Sequence, residues 1–131
     1  MANFYAPESV PAKFKDRLFY RHNANVTLMR TTPEENAQIG AGMARKLAAA
    51  KGPVAVVLPR RGVSAIDKMG QPFDDPAARR ALHDAIRSGL DGVDVEELDL
   101  HINDPEFADA AARKLIELMK APGPIDDGAL R

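Results

Sequence analysis

Three short polar stretches carry the residue types that could do chemistry. The first is Arg30-Thr31-Thr32, the second Pro59-Arg60-Arg61-Gly62-Val63-Ser64, the third His101-Ile102-Asn103-Asp104. An arginine fork suits a carboxylate or phosphate, and Arg30, Arg60 and Arg61 supply three. Gly62 lets a backbone come close to a ligand, Ser64 and Asn103 can donate hydrogen bonds, and a histidine such as His101 can exchange a proton near neutral pH. Each of these residues also has a plainer role. Thr32, Asp75 and Asp104 suit helix caps, and His101 can simply tie a loop. Arg60 and Arg61 can be solvated charge, and His22 and Asn23 turn formers. His83 sits beside an apolar helical stripe and is read as surface. Glu96, Glu97 and Asp99 are read as an exposed sheet edge.

The elements that must position these stretches follow from the apolar pattern. Val26 to Arg30, Val54 to Leu58 and Val93 to Leu100 read as strands, with Leu18-Phe19-Tyr20 as a short edge strand. Val54 to Leu58 is an unbroken apolar run, as expected of an interior parallel strand. Each strand leads to a helix with a start signal. Thr32-Pro33-Glu34-Glu35 is a capping box, and Asp75-Pro76 and Asp104-Pro105 repeat the cap-then-proline phrase. Ile39, Met43 and Leu47 form one apolar stripe, and Leu82, Ile86 and Leu90 a second. Phe107, Ala111, Leu115, Leu118 and Met119 form the third. Repeated strand and helix predict an α/β fold. Its parallel sheet has three to four strands with helices on its faces, a partial Rossmann-like or flavodoxin-like layering. Residues 1–121 are expected to form one domain and 122–131 a flexible tail. Ligands of such sheets bind beyond the carboxyl ends of the strands. Arg30, Thr31, Gly62, Ser64, His101 and Asn103 are therefore the candidate ligand-binding set.

Composition narrows the class. The chain has 131 residues, 45% of them hydrophobic and 28% charged, which suits one packed domain. Eighteen basic against nineteen acidic side chains leave a formal charge of -1, which removes the electrostatic case for nucleic acid or a membrane surface. There is no run long enough to cross a bilayer and no signal-peptide pattern at the start. The absence of cysteine excludes thiolate chemistry and suits a cytoplasmic protein. The three histidines, at 22, 83 and 101, lack the spacing of a zinc site, and no metal is expected. No Walker loop, dinucleotide-binding glycine pattern or nucleophile elbow occurs.

Four phrases taken together are more specific. They are His22 to Glu35, Leu58 to Asp67, Gly70 to Pro76, and His101 to Ala108. Together they resemble the C-terminal domain of the tomato mosaic virus resistance family, the Tm-type ATP-binding proteins, whose bacterial members form an uncharacterised protein family. The likeness runs from about Asn3 to about Met119. It implies a longer two-domain protein, of which this chain matches the later part of the second domain. ATP is implied for the whole family, but the part most associated with it is the part this chain lacks, and no cofactor is assigned. Arg60 and Arg61 are given no family role.

Three functions remain open at this point. The leading one is a domain binding a small anionic ligand, such as a nucleotide, an acyl compound or a phosphate compound, at the rim of the sheet. The second is part of a hydrolase or lyase site using His101, Asn103, Asp104 and Arg30, completed by missing domains. The third is a protein-interaction module. A sheet with so few strands leaves edges and faces uncovered, so the expected partner is a second copy or the missing N-terminal portion of the same protein.

Overall fold

The first thirty residues fold into an antiparallel unit. In a computed structural model, which describes residues 1–120, β1 (Ala2–Phe4) and β2 (Phe19–Asn23) flank β3 (Val26–Met29), both antiparallel to it. Two 3-10 turns, Pro7–Ser9 and Ala12–Phe14, lie between β1 and β2. The connection from β2 to β3 is only Ala24-Asn25, and the Asn25 N–H donates to Asn23 Oδ1 at 2.8 Å. Such a two-residue link can only fold the chain back on itself.

A second, separate pair is parallel. β4 (Ala55–Pro59) runs beside β5 (Asp94–Leu98), in register from Ala55 opposite Asp94 to Pro59 opposite Leu98. The N–H groups of Arg60 and Arg61 continue the ladder, donating to the Leu98 and Leu100 carbonyls at 2.9 Å each. The crossover that parallel pairing requires contains α2 (Pro76–Ser88).

The structure therefore corrects the expectation of one parallel sheet of three to four strands. The fold is mixed α/β, with three antiparallel strands and a parallel pair. The hairpin puts β2 antiparallel on one side of β3, and β1 pairs antiparallel on its other side, so β3 has no parallel neighbour. His22 and Asn23 belong to β2 rather than to the turn. β1 was not foreseen. Val54 lies outside its strand, and β4 pairs with β5 alone among the described residues. The expected tail at 122–131 falls outside the described residues.

Helix starts follow the sequence closely, with one exception. α1 (Pro33–Ala48) begins in a full capping box. The Glu35 N–H donates to Thr32 Oγ1 at 3.2 Å, and the Thr32 N–H donates to Glu35 Oε2 at 2.9 Å. Asp75 caps α2 by accepting from the Ala78 N–H at 2.9 Å. Asp104 precedes α3 (Pro105–Lys120), but its carboxylate turns back to accept from the His101 N–H at 2.8 Å. It closes the preceding turn.

The helical faces differ from the apolar stripes. α1 buries Asn36, Gly40 and Ala44, while Ile39 and Met43 are exposed. The reason is the close approach of α1 to α2. A Cβ on Gly40 would lie 2.6 Å from the Leu82 carbonyl oxygen and 2.8 Å from Ala85 Cβ. Only small residues fit that crossing, so the larger ones point away. On α2 the buried set is Ala78, Arg79, His83 and Ile86, which corrects the surface reading of His83. α3 lies along β4, with Phe107, Ala111, Leu115 and Leu118 lining a groove beside Ala55 and Val57. No described helix is long and apolar enough to cross a membrane.

Arg17 fastens the antiparallel unit to α1. Its guanidinium donates to both Glu35 carboxylate oxygens, at 3.0 and 2.6 Å, and to the Arg30 carbonyl at 2.8 Å. The Arg17 hydrogen bonds, and after them the Thr32 N–H, hold the Glu35 pKa down at about 2.

Two predictions follow from these contacts. Gly40→Ala should destabilise by about 1–2 kcal/mol, because the overpacking cost against a backbone carbonyl exceeds alanine's helix advantage. Gly42→Ala, which would meet nothing closer than Arg45 Nη2 at 3.8 Å, should stabilise by up to about 1 kcal/mol. Denaturant melts with equal signs for the two would refute the crossing.

The second concerns acid. Glu35 binds its proton at about 2 folded and near 4.5 otherwise, so its contribution is complete above that higher value. It is lost as pH falls toward 2. Stability measured from pH 6 to pH 2 should therefore drop less steeply in Glu35→Gln than in the parent chain, and equal slopes would refute the assignment.

Candidate functional site

The loop from β4 to α2 is built around one buried carboxylate. Asp67 has no solvent exposure, and its Oδ1 accepts from Arg79 Nη1 at 2.7 Å and from Arg30 Nη2 at 3.2 Å. Both arginines are themselves over nine-tenths buried. Asp67 Oδ2 lies 3.4 Å from the Val63 N–H, and Arg79 also grips Asp74 Oδ1 with two bonds of 3.1 Å. Two cations and two carboxylates thus balance. Burial opposes the Arg79 charge, but Asp67 and Asp74 outweigh it and raise its pKa above the ordinary value.

Four of the sequence candidates meet beside this cluster. His101 Nε2 lies 2.9 Å from the Ser64 carbonyl, and the Asn103 N–H donates to His101 Nδ1 at 3.1 Å. Because Nδ1 accepts, the proton sits on Nε2 and is donated to Ser64. The Ile102 N–H donates to the Gly62 carbonyl at 3.0 Å. Gly62 has φ +136°, and a Cβ there would stand 1.8 Å from the Asp67 carbonyl oxygen and 2.8 Å from His101 Cδ2. The close approach that requires glycine is to the protein's own loop. Ser64 Oγ is buried without a hydrogen-bond partner.

Arg30 and Thr31 lie deeper. Arg30 joins the group through Asp67, and Thr31 Oγ1 donates to Asn36 Oδ1 at 2.6 Å. Asn36 Nδ2 in turn donates to the Ala78 carbonyl at 2.7 Å. Both side chains are committed inside the protein and tie β3 and α1 to α2.

An open cleft of about 850 Å³ covers the Gly62–His101 cluster. Arg60, Arg61, Lys68 and Arg79 line it together with His101, Asn103 and Asp104. Its cations are not equivalent. Arg61 pairs with Asp99 at 2.8 Å and Arg79 with Asp67 and Asp74, whereas Arg60 and Lys68 form no ion pair among the described residues. Asp67, Asp74, Arg79 and Lys68 were missing from the candidate set. Asp67 and Asp74 lie within two of the phrases that carry the family resemblance and Arg79 lies outside them, and only their convergence in space gives the three a shared role. The 59–64 loop has a single glycine, packed against Asp67 and His101, so it cannot wrap a polyphosphate. No cluster of potential metal ligands occurs among the described residues.

Fold and site define a mixed α/β domain whose polar end is locked by a buried ionic cluster and faces solvent with unpaired cations. Residues 1–119 match the model described as "Uncharacterised protein family (UPF0261) C-terminal domain", and the chain belongs to that family. It is 54% identical over 114 residues to a UPF0261 protein of Rhizobium meliloti, covering 85% of this chain and 29% of that protein. A UPF0261 protein of Clostridium tetani is 46% identical over 122 residues, 92% of this chain and 30% of its own length. The tomato (Solanum lycopersicum) ToMV resistance protein Tm-1(GCR237) is 40% identical over 121 residues, 90% of this chain and 16% of its own length. The chain thus spans less than a third of the length of these curated relatives.

Removing the central carboxylate should be far costlier than removing an exposed pair. Asp67→Ala leaves two buried guanidinium groups without their shared partner and should cost about 3–5 kcal/mol in denaturant unfolding. Arg61→Ala, which breaks only the solvated pair with Asp99, should leave the midpoint nearly unchanged. Equal losses would mean that Asp67 is not the centre of the cluster.

Proposed function

We propose that this domain binds a small anionic ligand, a carboxylate or phosphate compound, in the cleft at the carboxyl ends of β4 and β5. The observation that carries this reading is the presence in that cleft of Arg60 and Lys68, which have no carboxylate partner among the described residues. Cations left unpaired at the mouth of a preformed cleft attract anions and can reorient onto them at little cost. Asn103 adds an exposed amide, and the ordered loop beneath keeps the floor fixed. In this reading His101 is a strut. Both its ring nitrogens are engaged by backbone groups, which favours binding over the hydrolase or lyase alternative, where a free nitrogen would be needed to move a proton.

A second reading, an interaction surface, has its own support. Ile39 and Met43 on α1, and Leu115, Ile116 and Met119 on α3, are all exposed. Such apolar faces suit contact with further polypeptide, and this chain spans only 29% and 30% of the two bacterial relatives. The two readings concern different surfaces and are compatible.

The binding reading is tested by titrating the chain with inorganic phosphate and with ATP while following amide resonances. Saturable shifts at residues 60–64, 68 and 101–104 are expected. Lys68→Ala should weaken phosphate binding by about tenfold through loss of one charge-assisted contact. Unmoved resonances at millimolar ligand would overturn it.

A further inference from the structure

We propose that the free edge of β4 is an interface that receives a further strand, an extended apolar segment from the part of the longer family proteins that lies outside this chain. This interface deepens the interaction-surface reading above and rests on it. β4 has only β5 as a neighbour among the described residues. In a parallel ladder the backbone groups of alternate residues point to opposite sides of the strand. The Arg60 N–H donates to the Leu98 carbonyl, so with the pair in register Val56, Leu58 and Arg60 face β5. Ala55, Val57 and Pro59 direct theirs the other way, to an edge with no partner strand. A lone parallel pair is unusual, because parallel sheets occur almost only with both faces covered.

The side chains agree. Val54 to Val57 are four apolar residues in a row, yet all are only half-buried. Over them lies a groove of about 290 Å³ in which Phe107, Ala111, Leu115 and Leu118 of α3 face Ala55 and Val57. The two strands also differ in charge. β5 carries Asp94, Glu96 and Glu97, held by Lys114 and Arg87, and charged side chains of this kind guard an outer strand. β4 carries no charge, so nothing on it opposes pairing. Pro59, whose missing N–H falls on the free side, marks where that pairing stops.

Length decides the occupant. The Rhizobium meliloti relative has over two-thirds of its length outside the matched segment, ample for a strand and its connection. A second copy related by a two-fold axis would pair β4 with itself antiparallel, whereas an unbroken apolar run is what a strand inside a parallel sheet shows. Backbone hydrogen bonds would supply the affinity, and the groove under α3 the side-chain selectivity.

The test compares backbone hydrogen exchange along β4 in the 131-residue chain and in the whole Rhizobium meliloti protein, resolved to single residues by fragmentation mass spectrometry. In the chain alone, the Ala55 and Val57 N–H groups should exchange at least about tenfold faster than those of Val56 and Leu58, which face β5. At the aligned positions of the whole relative that difference should disappear. Comparison within one strand cancels any difference in global stability. A persistent difference in the whole relative overturns the proposal. So does protection of Ala55 and Val57 that rises with the concentration of the chain, which means that a second copy holds the edge. Hydroxyl-radical footprinting at the positions aligned with Leu115, Ile116 and Met119 reads the wider interaction surface separately. Protection there beside an unprotected β4 edge overturns the strand and leaves that surface standing. If the 131-residue chain is too unstable to measure, exchange in the whole relative decides alone.

Discussion

The arrangement depends on one carboxylate held in the dry between two arginines. Asp67 joins Arg30 from the end of β3 to Arg79 on α2, and through Arg79 it engages Asp74. Taking such charges out of water is expensive, and an ion pair of this kind often gains little net stability over an apolar replacement. What it fixes is position. Three segments distant in sequence must arrive together, because any one arriving alone would leave a buried charge uncompensated. The antiparallel unit, the 62–67 loop and the start of α2 are therefore held in one relation despite belonging to different sheets and layers. The Gly62 close approach and the His101 bridge to Ser64 stand directly on that loop.

Local signals in the sequence were readable because they act over a few residues. The capping box at Thr32 and Glu35, the Asp75 cap and the apolar run of β4 each encode their own structure. The Asp104 carboxylate shows the limit. A cap-then-proline phrase located the start of α3, but the His101 N–H three residues back won the side chain. Sheet topology was less accessible, since a two-residue connection at Ala24-Asn25 outweighs any apolar pattern. The faces of α1 were hidden for another reason. Backbone approach to α2 selects Gly40 and Ala44 by size, so the stripe of larger residues points outward. Of the candidate site, the loops after β4 and β5 were legible because those two strands are parallel, whereas the expected third parallel strand is β3, which is antiparallel to its neighbours. The roles within those loops were not legible. Arg30 looked like a ligand fork and is a structural tie, while Arg79, half-hidden in an alanine- and arginine-rich helix start, anchors the loop.

Paired and unpaired cations line the same clefts, and the paired ones are bound into the structure. Arg79 borders both the rim cleft and a second cleft beside His83. A ligand that took the Arg79 Nη1 donor from Asp67 would leave that carboxylate stranded in the interior. Two unit charges 4 Å apart interact by about 4 kcal/mol at the effective dielectric of a protein surface, so a solvated anion cannot recover the cost of breaking that buried pairing. Arg79 is therefore a wall of these spaces, held by its own carboxylates, whereas Arg60 and Lys68 form no ion pair among the described residues.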